Sequence, residues 1–144
     1  MKISIVDRAL QVALDIHQGK TDRGYKPYIL HPLRVAAKMS TEVEIATALL
    51  HDVIEEASPP RYVNFNLESF GFPFEIYNAV LLLTIKDLPY NVYIEKISKN
   101  KLATKVKIAD IEDNINTLRL PKISDSDVER LKKYHTAYNC LKEK

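Results

Sequence analysis

The chain carries four histidines, and the polar residues that interest chemistry stand where aliphatic ones would be expected. His51 and Asp52 interrupt the apolar stretch IATALLHDVI, while Asp110 follows VKIA and has Ile111 and Ile115 close by. Burying such groups without hydrogen bonds or a metal costs several kcal/mol, so something must hold them. His31, just before a proline, adds a second imidazole. Together His31, His51, Asp52 and Asp110 form a mixed set of two nitrogens and two carboxylates. Donors of these types suit one divalent ion, Mn²⁺ first and Fe²⁺ or Zn²⁺ as alternatives, and leave octahedral positions for water and a phosphate oxygen.

Two polar rows flank this set. Glu55 lies four residues after His51 and Glu56 four after Asp52, which on a continuous helix places both acids one turn further along the same side. Paired carboxylates beside a metal can divide the work of base and acid, or can be an ordinary acidic helix end before Pro59. Asn114 and Thr117 follow Asp110 at helical spacing, a row suited to hydrogen-bonding a substrate or to capping a last turn. The other phosphate motifs are poor. Gly19-Lys20-Thr21 would need a glycine five residues earlier to end a P-loop, and that residue is Leu14. Lys96, Lys99, Lys101, Lys105 and Lys107 read as a solvated face, flanked by Glu95 and Asp110.

Helices are the elements that must position these groups. Helical spacing predicts a first helix over residues 5–16 that stops at Gly19, then a loop of about a dozen residues that ends at His31-Pro32. Proline favours a first helical turn, so His31 should sit at the mouth of a helix running to Met39. Thr41 and Glu44 have capping-box spacing and open a third helix to about Ala57, which Pro59-Pro60 stops. Beyond a possible short helix at NLESF, further helices are expected from Pro73 to Leu83, over YNVYIEKIS and over LATKVKIADIEDNINTL. A last one begins at SDSDVER with Ser126 and Glu129 in capping register. The expectation is an all-α, single-domain bundle of about seven helices over residues 1–144.

Composition agrees with that fold. With 144 residues, 46% hydrophobic content and only three glycines, the chain can bury one core but lacks the turns of all-β or doubly wound folds. Net charge of +2 disfavours a nucleic-acid polymer as partner and still allows a small polyanion. A lone Cys140 and no stretch near the ~20 apolar residues of a membrane span predict a cytoplasmic protein without membrane attachment. Nothing in the residues speaks to oligomeric state.

The segments ALQVALDIHQGK, PYILHPLRVA, ATALLHDVIEEAS and ATKVKIADIEDNINT, in this order, resemble HD-domain metal-dependent phosphohydrolases. More narrowly they resemble the hydrolase domain of RelA/SpoT-type alarmone enzymes and their small stand-alone relatives. The resemblance implies that His31, His51, Asp52 and Asp110 bind one Mn²⁺-type ion and that Glu55 and Glu56 match the catalytic acidic pair. It also implies that Asn114 and Thr117 contact the nucleotide, and that Lys20 and Arg23 stand in the loop that clamps its base. The implied reaction is removal of the 3′-pyrophosphate from guanosine tetra- or pentaphosphate by a metal-activated water. Hydrolysis of another nucleotide, such as a nucleoside monophosphate, and a non-catalytic nucleotide-binding domain are the alternatives. The chain departs from the pattern in having Tyr25 where a loop glycine is usual, with Gly24 displaced by one, and in having Glu56 where an aspartate is usual. His17 and His135 are expected to be structural or surface residues, and no added histidines point to a second metal.

Overall fold

The structure, a computed structural model, describes residues 2–57 and 67–143. Among the described residues there are eight α-helices and no strand beyond the isolated bridge between Thr21 and Pro27. Helix α1 (Ile5–His17) starts where the Ser4 side chain accepts from the Asp7 amide, and ends before Gly19, whose φ of 77° only glycine adopts freely. Helix α2 (Leu30–Ala36) carries His31 and Pro32 in its first turn, where the missing proline N–H leaves no bond unmade. Helix α3 (Glu42–Leu50) opens with the expected capping box of Thr41 and Glu44.

The expected third helix divides at His51-Asp52 into α3 and the single turn α4 (Val53–Glu56), so the seven expected segments appear as eight. The cause is local. His51 Nδ1 donates to the Ala48 carbonyl at 2.6 Å, while the His51 amide meets that same carbonyl only at 3.4 Å. A ring N–H has taken over part of the helical ladder, and Asp52 falls to φ −107°, ψ −1°, in the bridge region. Glu55 and Glu56 therefore follow a break and do not continue the helix that carries His51.

Helices α5 (Phe74–Thr84) and α6 (Tyr90–Ser98) each follow a proline, and a 3₁₀ turn over Leu67–Phe70 covers most of the NLESF segment. The Pro59-Pro60 stop lies outside the described residues. Helix α7 (Lys101–Asn114) is shorter than expected and passes into a 3₁₀ turn at Thr117–Arg119. Helix α8 (Asp125–Lys142) is capped by Ser124 with Asp127, not by Ser126 with Glu129. Both pairs have the right spacing, but Ser124 is the residue with extended backbone, φ −91° and ψ 168°, which an N-cap requires.

Helix α3 is the hub, packing against α1, α2, α5 and α7. Ala46, Thr47, Ala48, Leu49 and Leu50 are all buried, as a helix with neighbours on every side demands, and Thr47 settles its hydroxyl on the Val43 carbonyl at 2.7 Å. Because α2 and α7 also pack on each other, His31, the α3–α4 junction and Asp110 are brought to one place. Leu50, fully buried beside that junction, should be costly to truncate. Leu50→Ala is expected to lower unfolding free energy by about 2–5 kcal/mol in urea titrations; a loss below ~1 kcal/mol would deny α3 its central place.

Candidate metal centre

Four donor atoms converge between α2, the α3–α4 junction and α7. His31 Nε2 lies 3.2 Å from His51 Nε2, 2.9 Å from Asp110 Oδ1 and 3.6 Å from Asp52 Oδ2. His51 Nε2 lies 3.1 Å from Asp52 Oδ2 and 3.4 Å from Asp110 Oδ1. Ligands about 2.1 Å from one ion stand roughly 3 Å apart at right angles and a little more in a tetrahedron, so these separations match a shared cation. His31, His51 and Asp52 form the mutually close trio, all within 4.8 Å, and Asp110 joins through the two imidazoles.

The rings have been assigned a direction by their partners. His51 Nδ1 faces a carbonyl, which can only accept, and His31 Nδ1 faces the Asp113 carboxylate at 2.6 Å. Both Nδ1 atoms must carry the proton, which turns both Nε2 atoms toward each other in a buried site. Two facing lone pairs beside two carboxylates need a positive charge among them. The donor set thus fits a divalent ion, and it is this chemistry that the pKa directions reflect. Burial opposes charge on His51, but Asp52 and Asp110 outweigh it and hold the imidazole well above its ordinary value; His31 is raised against burial by Asp110 and Asp113. Burial would lift Asp110, yet Lys107 and the two histidines pull it well below the usual carboxylate range.

A surrounding layer was missed at the level of sequence. Tyr28 donates its hydroxyl to Asp52 Oδ2 at 2.5 Å, and burial followed by the Asp52 charge pushes the phenol far above its usual value. Lys107 pairs with Asp110 Oδ2 at 2.9 Å and is only 11% exposed, so it leaves the solvated lysine face on which it was expected. Arg34 stands one turn from His31 on α2, and Lys107 and Asp113 one turn either side of Asp110 on α7, whereas Tyr28 precedes α2; helical spacing marks the first three positions without showing which of them turns inward. His17 is buried against Tyr28, ring centroids 4.8 Å apart, and burial lowers it to about 4; His135 is exposed.

His31, Asp52 and Asp110 of this centre line an open cleft of about 730 Å³, together with Tyr90, Tyr93 and Tyr134. Among the described residues seven cationic side chains line it against five carboxylates, a balance that favours an anion even before a metal is counted. Glu55 faces the cleft and pairs with Lys86 at 3.2 Å. Glu56 instead meets Lys20, whose ammonium also donates to the Glu56 carbonyl, and neither residue is among the cleft lining. Arg23 lines the cleft while bound to Asp127 at 2.8 Å. Asn114 lines it too and donates to Asp110 Oδ1 at 2.9 Å, whereas Thr117 begins the 3₁₀ turn outside the lining. In the loop, Tyr25 adopts φ 64°, the left-handed conformation that suits a glycine, and Gly24 serves a different need: a Cβ there would stand 2.7 Å from the Arg119 carbonyl oxygen.

No family model matches the chain. A guanosine-3′,5′-bis(diphosphate) 3′-pyrophosphohydrolase of Vibrio cholerae is 42% identical over 59 residues, 38% of this chain and 8% of that protein. The bifunctional (p)ppGpp synthase/hydrolase SpoT of Escherichia coli is 43% identical over 65 residues, covering 42% of this chain and 9% of its own length. A protein of Mycobacterium leprae named a probable GTP pyrophosphokinase is 27% identical over 133 residues, 81% of this chain and 16% of its own. A solved structure titled "A metazoan ortholog of SpoT hydrolyzes ppGpp and plays a role in starvation responses" superposes with a TM-score of 0.75 at 21% identity, over 98% of this chain and 86% of that one. The chain resembles an HD-type RelA/SpoT hydrolase. Its fold is the all-α fold of that neighbour, and it spans a small fraction of the curated relatives' lengths. Among the described residues no helix is long and apolar enough to cross a membrane.

The shifts set a pH dependence. Without metal, the raised histidines contribute stability in full below about pH 6.5 and lose it as pH rises through their folded values. The lowered Asp110 and Asp113 contribute above the ordinary carboxylate range and fail only in strong acid. His17, held neutral, costs stability only as pH falls below its ordinary value. Chelator-treated protein should therefore show Tm falling from neutral to alkaline pH, and Mn²⁺ should reverse that fall because metal replaces the protons. A chelated protein whose Tm climbs steadily over this range would contradict the site.

Proposed function

We propose that the protein is a metal-dependent hydrolase that removes the 3′-pyrophosphate from guanosine tetra- or pentaphosphate. The observation that carries this reading is the convergence of His31, His51, Asp52 and Asp110 at the wall of a net cationic cleft. The matching segments in proteins named as 3′-pyrophosphohydrolases support the substrate, and neither a monophosphatase nor a non-catalytic binder is favoured by those likenesses. His31, His51, Asp52 and Asp110 would hold one Mn²⁺-type ion. When bound, it supplies a Lewis acid for a phosphate oxygen and lowers the pKa of water at the site.

The chain's own groups do the rest. Glu55, facing the cleft, takes a proton from the water that attacks the 3′-linked phosphorus; as the bond from phosphorus to the 3′-oxygen breaks, a proton passes to that oxygen, so that a 3′-hydroxyl and free pyrophosphate result. Lys86 beside it, together with Lys133 and Arg130, draws in the polyanion and offsets charge that develops on the transferred group. Asn114 keeps Asp110 Oδ1 oriented toward the imidazoles. Glu56, turned to Lys20, supports the loop instead of meeting substrate. Arg23 must exchange Asp127 for the nucleotide if it is to clamp the base. A small nucleotide as partner and a cytoplasmic setting belong to the same reading.

Incubation with Mn²⁺ and a nucleotide panel tests it. The unaltered protein should release pyrophosphate from guanosine tetraphosphate and Asp52→Ala should not. Glu55→Gln should lower kcat by about 10²–10⁴-fold, with a smaller loss for Glu56→Gln. Orthophosphate released from monophosphates, or no turnover by metal-loaded protein, would refute the proposal.

A further inference from the structure

Asp113 stands three residues after Asp110 on α7, is 6% exposed, and is neither one of the four converging donors nor a group that the proposed reaction uses. Its carboxylate is gripped from three directions. Oδ2 accepts from His31 Nδ1 at 2.6 Å. Arg34 donates through Nε to Oδ1 at 2.7 Å and through Nη2 to Oδ2 at 3.0 Å, a two-pronged grip. From the 3₁₀ turn, Arg119 Nη2 donates to the Asp113 carbonyl at 2.7 Å and reaches Oδ2 at 3.3 Å.

Each contact has a consequence for His31. Arg34 lies one turn along α2 from His31, so a single carboxylate is held at two points of one helix, and the imidazole cannot swing without breaking the grip. Two guanidiniums keep the carboxylate anionic, and an anion at Nδ1 holds a proton there, so Nε2 is the nitrogen left to face an ion. Arg119 is itself seated. The approach of Gly24 to its carbonyl oxygen leaves no room for a Cβ, which ties the loop before α2 to the clamp. A plain ion pair between helices would need only one of these cations and no contact with the ring.

We infer that Asp113, clamped by Arg34 and Arg119, is a positioning residue that fixes the ring and tautomer of His31 so that Nε2 is presented to the bound ion. This rests on the proposed metal site, and the experiment separates the two. Mn²⁺ affinity is read by electron paramagnetic resonance for the full chain, for Asp113→Asn and for Asp113→Ala, with circular dichroism to verify folding. The His31 Nδ1 proton is read by imidazole ¹H–¹⁵N spectra of the Zn²⁺-loaded protein.

In the unaltered protein that proton should be present and far downfield, while in Asp113→Asn it should move upfield and Mn²⁺ affinity should drop about 10- to 100-fold. If both variants unfold, the unaltered protein still decides the matter: His31 protonated on Nε2, with Nδ1 toward the metal, overturns the inference. So does Mn²⁺ affinity within twofold of the unaltered protein in a folded Asp113→Asn. Failure of the unaltered protein to bind any metal overturns the metal reading itself, and the positioning role with it.

Discussion

Everything in this structure is arranged around two imidazoles whose inner nitrogens face each other at 3.2 Å. Left alone, that contact is unfavourable, since each ring has already spent its Nδ1 proton on a fixed acceptor. The neighbouring carboxylates of Asp52 and Asp110 make the pair part of a donor set that could hold a cation. The fold supplies the fixed acceptors. Ala48 offers its carbonyl because α3 ends there, and Asp113 is held by arginines from α2 and the turn after α7.

The helix break follows from the same interaction. A continuous helix through His51 would have kept the Ala48 carbonyl for a backbone amide and left the ring without an acceptor. Breaking the ladder after Leu50 sends Asp52 into the cleft wall and lets α4 turn Glu55 and Glu56 toward different neighbours, Lys86 and Lys20. The two acids that looked equivalent by spacing are distinguished by the chain's path. Charge shows a similar division. The chain has a formal charge of only +2, but the cleft lining has more cations than anions, so a modest balance becomes a local field.

Much of this was legible in the residues. His51, Asp52 and Asp110 stood out because they interrupt apolar runs, and the structure brings them together with His31, which sits in the first turn of α2 as its proline neighbour suggested. The all-α fold and the Thr41 capping box followed from periodicity and spacing alone. What was not legible depends on partners far along the chain. Spacing sets Lys107 one turn from Asp110, but only the structure shows it part-buried on that carboxylate while Lys105 stays exposed on Glu44. Arg34 and Arg119 look like surface charges until Asp113 is seen between them. The capping residue of α8 could not be chosen by spacing, because two serines satisfied it and only backbone direction separates them. Tyr25 looked like a lost loop glycine, and the loop keeps the left-handed turn regardless.

The proposed function needs one ion held among four named atoms. Crystals of the protein soaked in Mn²⁺ and measured at the manganese absorption edge would locate it directly. One anomalous peak per chain is expected, at bonding distance from Nε2 of His31 and His51 and from a carboxylate oxygen of Asp52 and of Asp110. No peak at that place under saturating Mn²⁺, or a peak only at the exposed acids elsewhere, would contradict the account.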